Sequence, residues 1–449
     1  MSRGVGPGAA LGRAAVLGCF LGVAAGRAAL RLAVARTGRS GEPAASILGR
    51  TVAELLQALG PTYVKLGQIL SVRRDVLGED FTKHLWPLQD DLPPIPFDEV
   101  PALFRRELHL ELADVVAELD EVPLASASVS SVYSGRLEDG RSIALKVRRP
   151  GIARRVAADL EVLRAGASLL ERLPPLRLVP MRAAVDDFGA CVERQLDFRL
   201  EATSNRRLRA ALRSHPEIVI PRVIEELSSE SILTMELIPG VARPRGPLDR
   251  RARGALLAAL RALYAMIFVE GFFHCDLHPG NLHLLADGRA ALVDFGFMGE
   301  FGAADRVRFA EFFLALARND GTRCARIAVD MASSRSPSLD YAAFEADVVS
   351  LVARSAGKSA RDFEVAAFVL GLFETQRTHG VRSTTAFTMA ILSLLVFEGL
   401  AKQVYPDLDF QREARPFVLR ALTLDVEAGD GPGVDDRRQD LEDADAAAG

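Results

Sequence analysis

Three oxygen-bearing side chains in a fixed register constrain this chain more than anything else in it. Asp276 is followed five residues later by Asn281, and thirteen residues after that by Asp294. They stand in the segments HCDLHPGN and LVDFG, and the second Asp closes an apolar run, ALVDF, that reads as a strand. The spacing has a chemical reason. One carboxylate handles an attacking hydroxyl or water, while the amide and the other carboxylate supply the oxygen atoms that a hard divalent cation takes. A plain strand end and turn would account for Asp294-Phe295-Gly296 alone, but not for three positions in register.

At 449 residues the chain can bury a large core and suggests two or three folding units. Hydrophobic residues make up 49% and charged ones 25%, an ordinary globular balance. The net charge of −4 gives no overall basic field, so nucleic acid is not an expected partner. The cysteines (Cys19, Cys191, Cys275, Cys324) are dispersed, without zinc or disulfide spacing, which predicts reduced thiols and a cytoplasmic setting. Arginine supplies nearly all the positive charge. Lys146, inside the strand-like SIALKV, therefore calls for a chemical reason: an ammonium is a compact point charge, a guanidinium a wide planar fork.

Residues 1–46 hold the apolar run AAVLGCFLGVAAG between Arg13 and Arg27, then a linker over 37–46. Thirteen uncharged residues fall short of the ~20 that span a bilayer. A signal peptide is one reading. The preferred one is a surface-lying helix continued by Arg27, Arg31 and Arg36, which would attach the chain peripherally to a membrane. Residues 47–119 read as a helical extension, from TVAELLQALGPTYVKLGQIL to FRRELHLELADVVAEL, interrupted by the prolines of WPLQDDLPPIPFDEVP. Residues 120–238 read as a five-stranded lobe with a helical insert. SSVYSGRL and SIALKV flank the turn Glu138-Asp139-Gly140-Arg141, a helical stretch covers roughly 152–214, and IVIPRVI and SILTMEL follow as strands. Residues 239–426 are mainly helical, and 427–449 form an acidic tail predicted to be disordered.

That order predicts an α+β, protein-kinase-like two-lobe fold: a small antiparallel sheet lobe and a large helical lobe, with an N-terminal helical extension and the nucleotide between the lobes. In it Lys146, on the third strand, would reach the α- and β-phosphates and a helix carboxylate, for which Glu201 is the candidate. Alone, Glu201 would read as a solvated surface charge; Asp197, four residues earlier, could share its helix face. Where a Gly-rich phosphate loop is expected, Ala125, Ser126, Ala127 and Ser128 lead to Val132. These residues are small, but less free than glycine to take positive φ, so the loop should be stiff. Cys275 replaces the Arg of an ordinary catalytic loop, and His278 stands where many kinases place a Lys. His274 and His283 could suggest a metal cluster, but HxxxH without a third ligand is weak and the catalytic register explains the loop. A helix follows the DFG segment almost at once and no APE motif appears, so a peptide substrate lacks its platform.

The chain resembles the UbiB/AarF/ADCK family of atypical kinase-like proteins over about residues 45–420. Lys65-Leu66-Gly67-Gln68 matches the KxGQ motif of the family's extension. PLASASVSSVYSG, GFFHCDLHPGNL and LLVFEGLAKQVYPDLDF resemble its Ala-rich loop, catalytic segment and C-terminal stretch. The resemblance implies ATP and Mg²⁺ as cofactors. Lys146 and Glu201 would form the phosphate-binding ion pair, and Glu236 and Leu237 would meet adenine through their backbone. Asp276 would be the catalytic Asp, Asn281 and Asp294 the metal ligands, and Lys65 and Gln68 would lie over the cleft, excluding peptides. One departure stands out: the family's ExD is here Gln195-Leu196-Asp197, with Glu193 two residues before. The function implied is an ATP-binding, Mg²⁺-dependent ATPase that supports isoprenoid quinone or related lipid synthesis at a membrane, with a quinone precursor or lipid as client. The alternatives are a small-molecule phosphotransferase of the aminoglycoside- or choline-kinase type and a low-turnover nucleotide-sensing scaffold.

Overall fold

The computed structural model describes residues 7–36, 42–71, 77–85, 88, 94–172, 181–240, 250–278, 280–355, 365–405 and 408–428. Part of the expected linker, most of the proline stretch after Leu85 and nearly all of the acidic tail lie outside these residues. The chain forms two compact units, 1–203 with 222–237, and 204–221 with 238–449. Antiparallel sheet is concentrated in the first and helix dominates the second, the mixed α+β organisation that the sequence predicts.

The first unit opens with helix α1 (Pro7–Arg36), which packs on α2 (Ala44–Leu59). Arg31 ties the two together, donating to Thr51 Oγ1 at 3.1 Å and to Glu54 at 2.9 Å. Next come α3 (Pro61–Ser71), the short α4 (Glu79–Thr82) and α5 (Glu99–Leu108). The extension ends sooner than the pattern of FRRELHLELADVVAEL suggested. His109 adopts φ 58°, capping α5, and β1 (Val116–Leu119) follows as a strand. Helical spacing in that segment gave way to pairing with β3, because an edge strand satisfies backbone groups that a frayed helix end leaves open.

The sheet runs β1-β3-β4-β6, with β2 (Ala125–Ser126) hydrogen-bonded to β3 (Ser130–Leu137). β3 and β4 (Ser142–Arg148) form the expected hairpin, whose turn needs the positive φ of Gly140, 87°. Lys146 therefore stands on the fourth strand in chain order, because β1 precedes the strands read from sequence. β6 (Ile232–Glu236) pairs with β4. Alternation sends Tyr133, Ile143, Leu145 and Val147 into one core with Val100, Leu103 and Phe104 of α5. α6 (Ile152–Leu170) and α7 (Met181–Leu196) pack on one another, and α8 (Phe198–Ala211) begins after a break at Asp197.

IVIPRVI does not behave as one strand of this sheet. β5 (Ile218–Val219) pairs in parallel with β9 (Ala290–Leu292) of the second unit, in a sheet ordered β5-β9-β8, while Val223 makes a single bridge to Met235. Pro221 separates the two halves; it has no N–H to give a ladder.

The second unit is built on α9 (Arg250–Tyr264), which passes into a π-helical turn, Ala265–Glu270. The strands β7 (Phe272–His274), β8 (Leu282–Leu284) and β10 (Met298–Glu300) bracket the acidic loop. α10 (Ala303–Ala317), α11 (Gly321–Asp330), α12 (Tyr341–Ser355), α13 (Val365–Thr378), α14 (Thr385–Val404) and α15 (Phe410–Ala428) follow, and β11 (Ala332–Arg335) pairs with β12 (Val381–Ser383). Phe268, Phe309, Phe313 and Phe387 form a chain of ring contacts at 5.1–5.7 Å through this core. Arg250–Glu270 and Thr385–Lys402 are long and apolar enough to cross a membrane, yet both are largely buried within the unit, as core helices are.

Candidate functional site

The candidate residues form two groups, one in each unit. In the first, β4 holds Lys146 between Val132 of β3 and Leu233 of β6. Its ammonium meets both oxygens of Glu201, each at 2.8 Å, with Lys146 7% and Glu201 4% exposed. Glu201 lies one turn into α8, and Phe198 of the same helix offers its ring face to Lys146 at 5.2 Å. Burial of both charges favours this pairing, since either alone would be stranded in low dielectric.

Asp197 is elsewhere. It precedes α8, and its carboxylate accepts from the Arg199 amide (3.1 Å) and guanidinium (2.8 Å), which hold its pKa below the ordinary carboxylate value. It does not share a face with Glu201, because the helix begins one residue after it. Gln195 also differs in kind from Glu201: its Nε2 is buried with no hydrogen-bond partner among the described residues.

The Ala- and Ser-rich loop is a tight hairpin. Leu124 N donates to Val132 O at 2.7 Å and Ala127 N to Ser130 O at 2.8 Å, while Ser128 is buried. Arg149, unremarked in the sequence, braces it. Its guanidinium donates to Ala127 O and to Ser126 Oγ, both at 2.8 Å, and its amide donates to Val129 O. Burial pulls the Arg149 pKa down. The available signal was the pair Arg148-Arg149 closing a strand beside a loop rich in carbonyls and hydroxyls.

At the end of β6 the amides of Glu236 and Leu237 are already committed, to Arg222 O (2.8 Å) and Ser142 O (3.0 Å). On α3, Gln68 donates to Leu88 O at 3.2 Å. Lys65 is half-buried and near enough to Cys191 to oppose the rise in thiol pKa that burial causes. Gly67 faces Leu88 and Leu56; a Cβ there would stand 2.3 Å from Leu88 Cδ1, so a side chain at this position would have to displace the ends of both leucines.

In the second unit, His274 pins the acidic loop. Its Nδ1 accepts from the Asp276 amide at 3.0 Å, which puts the proton on Nε2, and Nε2 donates to Asp294 O at 2.6 Å. Burial lowers the His274 pKa, so the ring stays neutral. Asn281 Nδ2 donates to Asp276 O at 3.0 Å, turning its amide oxygen the other way, and Val293 N donates to Asn281 O. Asp276, Asn281 and Asp294 are thus brought together through backbone contacts. Asp294 takes φ 61°, a left-handed conformation costly for a side-chain-bearing residue, and accepts from Gly296 N at 3.1 Å. His278 accepts from Gly280 N through Nδ1, and its Nε2 lies 3.7 Å from Asp276. His283 Nε2 bonds Gly280 O at 3.0 Å.

Among the described residues no group of three or more His, Cys, Asp or Glu is placed to hold a metal ion. The Asn281 amide and the Asp294 carboxylate nevertheless fit Mg²⁺, which takes one or two protein oxygens and fills its octahedron with phosphate and water. After Gly296 the chain makes only β10 before α10 starts at Ala303.

Residues 87–328 match the ABC1 atypical kinase-like domain, and residues 348–409 match the UbiB helical domain. A Marinobacter nauticus protein named "Probable protein kinase UbiB" is 32% identical over 373 residues, 81% of this chain and 68% of the relative. A Shewanella halifaxensis protein of the same name is 32% identical over 382 residues, 83% and 69% of the two chains. A solved structure described as the complex structure of Rv3197-erythromycin from Mycobacterium tuberculosis superposes with a TM-score of 0.49 at 22% identity, covering 70% of this chain and 84% of that one. By its matched domains and its relatives, this chain is a kinase-like enzyme and belongs to the UbiB/ABC1 family of atypical kinases.

Proposed function

We propose that the chain binds ATP with Mg²⁺ and cleaves or transfers its terminal phosphate in support of isoprenoid quinone or related lipid synthesis. The buried Lys146–Glu201 pair carries this reading: an ammonium held 2.8 Å from both carboxylate oxygens is preset to meet a phosphate. Ala125, Ser126, Ala127, Ser128 and Val132 would cover the phosphates. Glu236 and Leu237, their amides committed, would offer adenine their carbonyls. Asn281 and Asp294 would hold the cation, which neutralises phosphate charge when bound. Asp276 would orient the attacking group, with neutral His274 fixing its backbone. Lys65, Gln68 and Asp197 belong to the regulatory extension in this reading.

The quinone client and membrane setting rest on the family resemblance. Helix α1 supports peripheral attachment: it leaves Phe20, Val23 and Leu30 exposed while Arg27 and Arg31 face Glu54. A small-molecule phosphotransferase is the second reading, favoured by the start of α10 at Ala303, which leaves no room for a peptide platform.

The test is phosphate release from ATP by the purified full-length chain, in Mg²⁺ and in EDTA, with and without anionic liposomes and quinone-like phenols. Mg²⁺-dependent release that rises with lipid or phenol supports the ATPase. Phosphate recovered on a small acceptor supports the transferase. Nucleotide-dependent thermal stabilisation without release returns the chain to the scaffold reading.

A further inference from the structure

The second unit contains a cavity of about 790 Å³ whose lining includes none of the candidate nucleotide- and metal-site residues. Its walls come from α10, α13, α14 and α15, so it lies where the matched kinase-like segment meets the matched UbiB helical segment. Such seams are where ligand sites concentrate, and the volume falls in the range that holds one small ligand. Phe312, Phe368, Leu394 and Val418 line it and are each less than a tenth exposed.

The mouth has a different chemistry. Arg318, Arg412 and Arg415 line the cavity while remaining exposed, and among the described residues Asp409 is the only acidic one in its lining. That carboxylate already caps α15, accepting the Arg412 amide at 3.0 Å. Tyr264 is likewise engaged, donating to Phe410 O at 2.9 Å. An apolar interior behind three guanidinium groups matches a molecule with an apolar chain and an anionic end, since guanidinium binds carboxylate and phosphate alike.

We propose that this cavity binds a single-chain anionic amphiphile, its chain among the phenylalanines and its acid group at the arginines of the mouth. The site goes beyond the nucleotide reading and does not depend on it.

The probe is oleate below its micelle concentration, titrated against the purified full-length chain in competition with a fluorescent fatty acid. Oleyl alcohol serves as the neutral analogue and phosphatidylglycerol vesicles as the bilayer source of the same charge. Expected is saturable binding of one oleate per chain. Leu419→Trp or Val418→Phe, each filling the cavity, should weaken it by about tenfold or more. Arg412→Glu should weaken oleate about tenfold and leave oleyl alcohol unchanged. Thermal melting monitors folding; should a filling variant unfold, the arginine variant and the acid-to-alcohol ratio still decide. Unchanged binding in a folded filling variant, equal affinity for acid and alcohol, or binding to vesicles alone would overturn the proposal. Asp276→Asn should bind oleate normally, so loss of phosphate release and loss of this site are read separately.

Discussion

Lys146 and Glu201 are almost wholly buried and satisfy each other, whereas Asp276, in the other unit, keeps its side chain 40% exposed and is aimed by backbone hydrogen bonds. Asp294 adds a left-handed backbone to the second group. One region fixes its charges by pairing them; the other fixes its acidic loop by backbone contacts and keeps the Asp276 carboxylate half-exposed. A buried ion pair is set before any ligand arrives. Half-exposed carboxylates stay hydrated until something displaces that water. The division predicts that damage to the first region appears as lost stability, and damage to the second as lost chemistry.

The largest effect should follow Lys146→Met, which strands Glu201 in the interior. Unfolding free energy should fall by about 3–5 kcal/mol, measured by urea denaturation. Adding Glu201→Met should restore most of that stability without restoring nucleotide binding; a double variant as unstable as the single one would break the contrast.

Next is Asp294. Asp294→Asn should lower Mg²⁺-dependent phosphate release by about 100-fold, near 2.7 kcal/mol, at unchanged melting temperature. Asp294→Gly should abolish release yet gain about 1 kcal/mol or less of stability by relieving the left-handed backbone. Full activity in Asp294→Asn would remove this residue from the cation site.

Arg149→Met sharpens the comparison inside the first unit. Losing its bonds to Ala127 O and Ser126 Oγ should cost about 1–2 kcal/mol and raise the nucleotide dissociation constant about tenfold. Isothermal titration beside denaturation reads both, and unchanged nucleotide affinity in a destabilised variant would make the brace purely structural.

The smallest effect concerns pH. Burial holds the His274 pKa below its ordinary 6.5, so the unfolded chain binds the extra proton first. Its contribution to stability is therefore present above about pH 6.5 and is lost as pH falls toward the lowered folded value. Melting temperature followed downward from neutral pH should decline less steeply in His274→Gln than in the parent; parallel curves would falsify the neutral assignment.

Much of the site was legible because its chemistry is local. Asp276, Asn281 and Asp294 lie within nineteen positions, and the turns between them are set by nearby side chains. Lys146 was legible for another reason: a lone lysine in an apolar strand is costly without a partner. Arg149 was not, since one more arginine in an arginine-rich chain has no distinctive spacing and its partners are carbonyl and hydroxyl oxygens. Asp197 misled for a similar reason. A four-residue spacing from Glu201 implies a shared face only if both lie in the helix, and α8 starts after it. The helical reading held through Leu108, but residues 109–119 and the run IVIPRVI failed where pairing overrode pattern, in β1 joining β3 and in β5 joining β9.

The sequence by itself determined the chemistry: an ammonium on a strand, two carboxylates and an amide in register, an extension bearing KxGQ, and the family these residues mark. Those are properties of residue identity and short spacing. Only the tertiary structure decided which groups neutralise one another, which loop Arg149 holds, and that a large apolar space opens behind three arginines. Each of these depends on contacts between residues far apart in the chain, where burial and dielectric, invisible in a linear pattern, set the energy.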